Sequence, residues 1–131
     1  MPKVEKSEAE WKAELTPEQF YVLRQEGTER AGTSPLNHEY RDGMFVCAGC
    51  GKALFPSEAK FESGTGWPSF YAPVESEAVT EHVDRKLFMT RTEVRCADCD
   101  GHLGHVFPDG PHPTGLRYCM NGAALSFAPK S

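Results

Sequence analysis

Two closely spaced pairs of cysteines constrain the fold of this chain more than any other feature of its sequence. They are Cys47-Ala-Gly-Cys50 and Cys96-Ala-Asp-Cys99, and a glycine follows each pair directly or one residue later, as a tight turn favours. Two such turns, each ending a strand-like segment, can direct four thiolates at one point, the tetrahedral arrangement that Zn²⁺ prefers. The pattern therefore predicts a structural zinc ion whose four ligands are Cys47, Cys50, Cys96 and Cys99.

Other readings of these four cysteines are two disulfides, a thioredoxin-like redox pair, or iron in place of zinc. No βαβ pattern surrounds either pair, and no apolar segment follows Met1 as a signal peptide would require. We therefore expect a reducing, cytoplasmic setting, in which such pairs indicate metal or redox chemistry. The fifth cysteine, Cys119, stands alone.

The length and charge of the chain limit its class. Its 131 residues suit a single domain over residues 1–131, with a helical segment over about residues 1–30. The formal net charge of -5 argues against a nucleic acid or an anionic membrane as partner. No apolar run approaches the roughly 20 residues of a membrane span.

Hydrophobic patterns predict a mainly β domain with short N-terminal helices. One helix is expected from Ser7 to Leu15, and a second begins at Thr16-Pro17 with a capping box. Gly101 to Gly115 is predicted to be rich in turns. Strands are expected at 44–46, 53–55, 79–81, 87–95, 116–120 and 125–127.

The segment around Cys119 has the composition of a nucleophilic site. In a strand over 116–120, Arg117, Cys119 and Asn121 share one face. A guanidinium two positions from a thiol favours the thiolate, and nearby histidines could supply protons. The turn-rich run from Ser63 to Tyr71 presents Trp67, either as a plug for the core or as the lining of a small apolar pocket. His38, His82 and His112 read as surface residues.

Five stretches together resemble the B-type methionine sulfoxide reductases, which are peptide-methionine (R)-S-oxide reductases. They are the two cysteine turns, Ser63-Gly-Thr-Gly-Trp-Pro-Ser-Phe70, Gly101-His-Leu-Gly-His-Val-Phe-Pro-Asp-Gly110 and Arg117-Tyr-Cys-Met-Asn121. The resemblance implies a tent-like fold of two twisted antiparallel sheets, with the zinc away from the active site. It implies Cys119 as nucleophile, a substrate-binding pair Trp67 and Phe70, and a polar side formed by His102, His105, Asp109, Arg117 and Asn121.

The resemblance also implies a reaction and partners. Cys119 would attack the sulfur of methionine-R-sulfoxide in oxidised proteins and become a sulfenic acid, with His102 or His105 as proton donor, in a repair role under oxidative stress. Many members carry a resolving cysteine where this chain has Thr65, so an external thiol is expected to act directly: thioredoxin, or glutathione with glutaredoxin. Two competing readings are a zinc-ribbon binding module and a thiol peroxidase or redox sensor.

Overall fold

A computed structural model describes residues 4–86 and 89–130 of the chain. Within them lie two α-helices, α1 (Glu8–Glu14) and α2 (Pro17–Arg24), followed by nine strands and four short 3₁₀ turns. The strands are β1 Gly43–Cys47, β2 Ala53–Pro56, β3 Lys60–Phe61, β4 Ser69–Phe70, β5 Val79–Lys86, β6 Met89–Cys96, β7 His102–Phe107, β8 Arg117–Met120 and β9 Leu125–Pro129.

The strands form two antiparallel sheets. The smaller has the order β2-β1-β9, and the larger has the order β3-β4-β8-β7-β6-β5. The prediction of a mainly β fold with two antiparallel sheets and short N-terminal helices is confirmed. No helix in the part of the chain described is both long and apolar enough to cross a membrane.

Aromatic side chains join the two sheets. Phe45 of β1 and Phe55 of β2 meet Phe70 of β4, with ring centroids 5.0 Å and 4.5 Å from that of Phe70. All three rings are fully buried. Because each buries a large apolar surface, their contact is a major stabilising element of the core.

Both helices begin with the predicted type of cap. The side chains of Ser7 and Thr16 accept hydrogen bonds from the N3 backbone amides, and the N3 side chains accept hydrogen bonds from the cap backbone amides. Trp11, Phe20 and Leu23 face inward and are buried. The helices therefore cover one side of the core, as their apolar spacing indicates.

The prediction that Gly101 to Gly115 is mainly turns is wrong for its first half, which is strand β7. A glycine such as Gly104 is more common in turns than in strands. Here it lets β7 approach β8 closely, since a Cβ at this position would collide with the backbone oxygen of Cys119. Strand β4 was likewise hidden in a turn-rich run. Of the strand predicted over 87–95, Leu87 and Phe88 lie outside the described residues, and the rest belongs to β6.

Candidate active site

The register of the larger sheet places four polar side chains in one row. Ser69 pairs with Cys119, Cys119 pairs with His105, and His105 pairs with Glu93 across strands β4, β8, β7 and β6. Directly paired residues point to the same face of a sheet. Alternation also puts Arg117 on this face, two positions before Cys119. The prediction that Arg117 and Cys119 share a face is confirmed.

A β-bulge brings the second histidine to the same face. Strict alternation would separate His102 from His105, which is three positions away. Arg95 pairs with His102 and Val94 with Gly104, so Leu103 is an extra residue in β7. The bulge reverses the alternation, and the two imidazole centroids lie 5.5 Å apart.

Each histidine is held by a carboxylate of the same sheet, His102 by Glu93 on the adjacent β6 and His105 by Asp84 on β5, two strands away. Nδ1 of His102 lies 2.7 Å from Oε2 of Glu93, and Nε2 of His105 lies 2.9 Å from Oδ2 of Asp84. His102 is almost fully buried. Burial lowers the pKa of His102, and the adjacent Glu93 only partly opposes that effect. His102 therefore lies behind His105 as a buried partner of Glu93.

A pocket of about 280 Å³ opens on this face. It brings together the apolar ring of Trp67, the sulfur-bearing Cys119 and the imidazole of His105. His102, Asp109 and Phe70 are not among its lining residues, which are Thr28, Thr65, Trp67, Arg91, Gly104, His105, Phe107, Arg117, Cys119 and Asn121. The pocket combines one apolar wall with a cysteine thiol and several polar groups.

Cys119 is partly buried, and its thiol is not strongly activated in the free protein. Burial raises the pKa of Cys119, while a hydrogen bond with Thr65 and the charge of Arg117 act in the opposite direction. The sequence-based expectation that Arg117 favours the thiolate has the right sign, but desolvation outweighs it. Taken together, these influences leave the pKa of Cys119 above its ordinary value.

Asp109 acts on Arg117 rather than on the pocket. Its carboxylate accepts two hydrogen bonds from the guanidinium, from Nε at 2.9 Å and from Nη2 at 3.1 Å. The guanidinium also lies over the ring of Phe107, 4.4 Å from its centroid. Arg117 holds the pKa of Asp109 below its usual range. The planar fork is thus fixed beside Cys119 by a partner outside the pocket.

Glu29 fixes two pocket residues, and no local sequence pattern indicates this role. Its amide donates to Oδ1 of Asn121 at 2.8 Å, and its carbonyl accepts from Nε1 of Trp67 at 3.0 Å. Asn121 also donates to the carbonyl of Leu103 at 3.0 Å. Because these partners are distant in sequence, no motif marks them. Trp67 lines the pocket, which decides between the two readings of its loop.

Other residues that sequence reasoning missed are Thr28, Arg91, Asp84 and Glu93. Alternation along the predicted strand over 87–95 places Arg91 and Glu93 on one face, but it indicates no role for them in a site. Thr28 lies in a polar stretch without a pattern. Phe70, expected to bind substrate, instead faces the core and stacks on Phe55. It is paired with Tyr118, whose face is opposite to that of Cys119.

The other four cysteines form a compact cluster away from this pocket. Sγ of Cys47 lies 3.6 Å from Sγ of Cys99, and Sγ of Cys50 lies 3.5 Å from Sγ of Cys96. Each separation is well above the roughly 2.05 Å of a disulfide. All four sulfurs lie within 4.8 Å of one another, close to the roughly 3.8 Å expected around tetrahedral zinc. The cluster can hold a metal ion.

Two matching turns build the cluster. In the first, the amide of Gly51 donates to the carbonyl of Cys47, and in the second the amide of Asp100 donates to that of Cys96. Gly51 and Asp100 occupy the same left-handed position, with φ of 81° and 61°. The sequence pointed to Gly101 for the second turn, but aspartate tolerates this conformation too. The turns join β1 to β2 and β6 to β7, so the cluster ties the two sheets together.

Comparison with known proteins adds an independent line of evidence. Residues 15–129 match the SelR domain family. The chain is 56% identical over 128 residues to the peptide methionine sulfoxide reductase MsrB of Agrobacterium fabrum, covering 98% of this chain and 95% of that protein. The equally named protein of Bradyrhizobium diazoefficiens is 58% identical over 128 residues, covering 98% and 92%. That of Methanosarcina mazei is 56% identical over 125 residues, covering 95% and 89%.

Proposed function

Because the chain belongs to the SelR family of peptide methionine sulfoxide reductases, and so reduces oxidised methionine, we propose that it acts on the R epimer through Cys119. The observation that carries this proposal is the pocket in which Cys119 lies with His105 and Trp67. Its volume of about 280 Å³ suits a methionine side chain entering from a peptide. We further propose a cytoplasmic role in repair of oxidised proteins.

The opposed walls of the pocket support a choice between epimers. An indole ring favours the methyl group of the sulfoxide, whereas the oxygen needs hydrogen-bond donors. Trp67 and His105 supply these two environments. In the proposed pose, the methyl group contacts Trp67, the peptide extends out of the pocket mouth and the sulfur faces Cys119. In that pose, only one epimer directs its oxygen to the hydrogen-bond donors.

The proposed first step transfers two electrons from Cys119 to the sulfoxide. The thiolate sulfur attacks the sulfoxide sulfur, and the sulfoxide oxygen takes up a proton. The sulfur–oxygen bond of the substrate then breaks as the oxygen passes to Cys119. The sulfur–sulfur bond made by the attack breaks at the same time, so methionine leaves and Cys119 becomes a sulfenic acid. Sulfoxide and thiol are thus converted to thioether and sulfenic acid without loss or gain of atoms.

We assign the proton donor to His105 rather than to His102. His105 lines the pocket, and Asp84 holds its Nε2 atom. His102 is outside the pocket, with a pKa lowered by burial. A positioned imidazole is the usual proton donor near neutral pH. In this scheme, Asp109 and Arg117 fix the electrostatics beside the sulfur, and Asn121 and Glu29 fix the pocket walls.

Regeneration of Cys119 is proposed to use an external thiol directly. Oγ1 of Thr65 lies 3.8 Å from Sγ of Cys119, so a hydroxyl occupies the position from which a resolving cysteine could act. The remaining four cysteines are grouped in the metal-binding cluster. Two external thiols, from thioredoxin or from glutathione with glutaredoxin, would reduce the sulfenic acid to thiol, with release of water and a disulfide.

We propose that the cysteine cluster holds one structural Zn²⁺. Four thiolates are the preferred ligand set of structural zinc sites, and the sulfur separations fit its tetrahedral geometry. All four ligands come from protein, so no position is left for substrate. The proposed contribution of this metal is stability, through the link between the two sheets.

The test of this function is reduction of a racemic peptidyl methionine sulfoxide with a thiol reductant in excess. The wild-type protein should stop at half conversion and leave the S epimer. Cys119→Ser should fold with an unchanged melting temperature and retain less than about a hundredth of the activity, since an alcohol is a far weaker nucleophile. Equal consumption of both epimers, or an active Cys119→Ser protein, would refute the assignment.

A further inference from the structure

Three hydroxyl groups form a hydrogen-bonded chain that begins at the sulfur of Cys119. Oγ1 of Thr65 lies 3.8 Å from this sulfur and 2.8 Å from Oγ of Ser63, which lies 2.7 Å from Oγ of Ser69. The chain ends where Ser69 donates to the carbonyl of Trp67 at 3.2 Å. Ser69 is almost fully buried and directly paired with Cys119 across β4 and β8. The chain therefore connects the nucleophile to the loop that carries Trp67.

The direction of donation along this chain is set by the charge on the sulfur. When Ser69 donates to the Trp67 carbonyl, Ser63 must donate to Ser69 and Thr65 to Ser63, because each hydroxyl has one proton. Thr65 can then only accept a hydrogen bond from the thiol of Cys119. When the thiol loses its proton to water, all three hydroxyls can rotate. Thr65 then donates to the thiolate, Ser63 to Thr65 and Ser69 to Ser63.

We propose that this hydroxyl chain is a reversible donor relay that stabilises the thiolate of Cys119, with Thr65 contacting the reacting sulfur and Ser63 and Ser69 acting as positioning residues. The proposal rests on the assignment of Cys119 as the nucleophile. Two backbone amides support the geometry, since those of Thr65 and Trp67 each donate at 3.4 Å to the side chains of Ser63 and Thr65. These bonds occupy lone pairs and leave the hydroxyl protons to the relay.

The relay reaches the sulfur of Cys119 from a segment that has no ionisable side chain. From its own strand, Cys119 is faced by Arg117, which Asp109 engages, and β7 and β6 contribute His105 and Arg91 to the same pocket. The run from Ser63 to Phe70 has no ionisable side chain. Burial raises the pKa of Cys119, and the hydrogen bond with Thr65 and the charge of Arg117 are among the influences that lower it.

The relay also gives Thr65 a role that a resolving cysteine could not fill in the same way. A cysteine is a weak hydrogen-bond donor, whereas a threonine hydroxyl is a strong one. The hydroxyl at this position thus favours ionisation of Cys119 rather than a disulfide with it. The substrate class is unchanged, but the residues that activate the nucleophile extend to β4.

The experiment is the pH dependence of alkylation of Cys119 by iodoacetamide in the zinc-loaded protein, read by peptide mass. Thr65→Val keeps the shape of threonine but loses the donor, and Ser69→Ala removes the far end of the relay. Both should shift the midpoint upward by about half to one pH unit and slow alkylation at neutral pH by about 3- to 10-fold. Thr65→Ser keeps a hydroxyl and should retain the wild-type midpoint. Ser126 is an exposed residue of β9, so Ser126→Ala is the matched control and should also leave the alkylation midpoint unchanged.

Melting temperatures separate these effects from unfolding, and Ser63→Ala replaces Ser69→Ala if the latter does not fold. Unchanged midpoints in folded Thr65→Val and in the folded serine variant would overturn the relay. Midpoints that rise equally in Ser126→Ala would overturn it too. The underlying assignment is tested separately, because an active Cys119→Ser protein would refute Cys119 as the nucleophile. If Cys119→Ser is inactive but the alkylation midpoints of the Thr65→Val and serine variants are unshifted, only the relay is refuted.

Discussion

Opposing influences on single side chains define the site at the residue scale. Burial works against ionisation of Cys119, while Thr65 and Arg117 work for it. Burial likewise raises the pKa of Glu29, against the effect of its bonds from the amides of Gly122 and Ala123.

Replacement of His105 separates the two histidines. His105→Gln should lower kcat by about 10²-fold or more near neutral pH, since the pocket loses its proton donor. His38→Gln, at an exposed position, is the matched control and should retain wild-type kcat. Steady-state kinetics on a single R epimer measure the effect. A His105→Gln protein with wild-type kcat would assign the proton to another group.

Replacement of Glu93 tests the buried ion pairs. Although burial raises the pKa of Glu93, hydrogen bonds from Arg95 and His102 outweigh it, so its folded pKa lies below 4.5. The stabilisation is therefore present at neutral pH and is lost as the pH falls below about 4.5. Glu93→Gln should lower the free energy of unfolding by about 1–3 kcal/mol at pH 7. Denaturant melts should show this difference shrinking in acid, and a difference that grows below pH 4 would contradict the account.

At the scale of elements, strand β7 determines the geometry of the site. Its bulge at Leu103 puts His102 beside His105, and Gly104 lets β7 approach β8 closely. The two cysteine turns have a comparable effect on the sheets, because each sits at a strand end and presents two sulfurs to the same point.

Removal of one cluster cysteine tests the structural role of the metal. Cys47→Ser should lower the free energy of unfolding by several kcal/mol, since metal binding contributes directly to folding. Zinc content by atomic absorption should fall in parallel with thermal stability. Any activity that remains at low temperature should show the wild-type choice of epimer. A Cys47→Ser protein that keeps its metal and melts normally would exclude a structural zinc.

Sequence reasoning reached the parts of this structure that depend on local patterns. The helix caps at Ser7 and Thr16, the cysteine cluster and the shared face of Arg117 and Cys119 were predicted from spacing alone. Strand β7 was not predicted, because its glycine and histidines and the proline that follows it give a weak local preference for a strand. Pairing with β6 and β8 overrides that preference in the folded protein. The place of Glu29 was also hidden, since its partners Trp67 and Asn121 are far away in sequence.

At the scale of the whole molecule, pairing of β9 with β1 brings the late part of the chain into the first sheet. The single domain over residues 1–131 that the chain length indicates stays a prediction. The cysteine cluster links this sheet to the larger one, while Cys119 lines a separate pocket. We therefore infer that structural and reacting thiols are kept apart, and that the cycle uses one cysteine.

The most direct measurement is a single turnover of each separated peptidyl sulfoxide epimer without reductant, followed by mass analysis of the protein. The account predicts that the R epimer alone is reduced, with one oxygen gained at Cys119 and no intramolecular disulfide. Thr65→Cys should instead yield a disulfide between positions 65 and 119, because the two side chains are already adjacent. Reduction of the S epimer, or a wild-type disulfide joining Cys119 to Cys47, Cys50, Cys96 or Cys99, would contradict it.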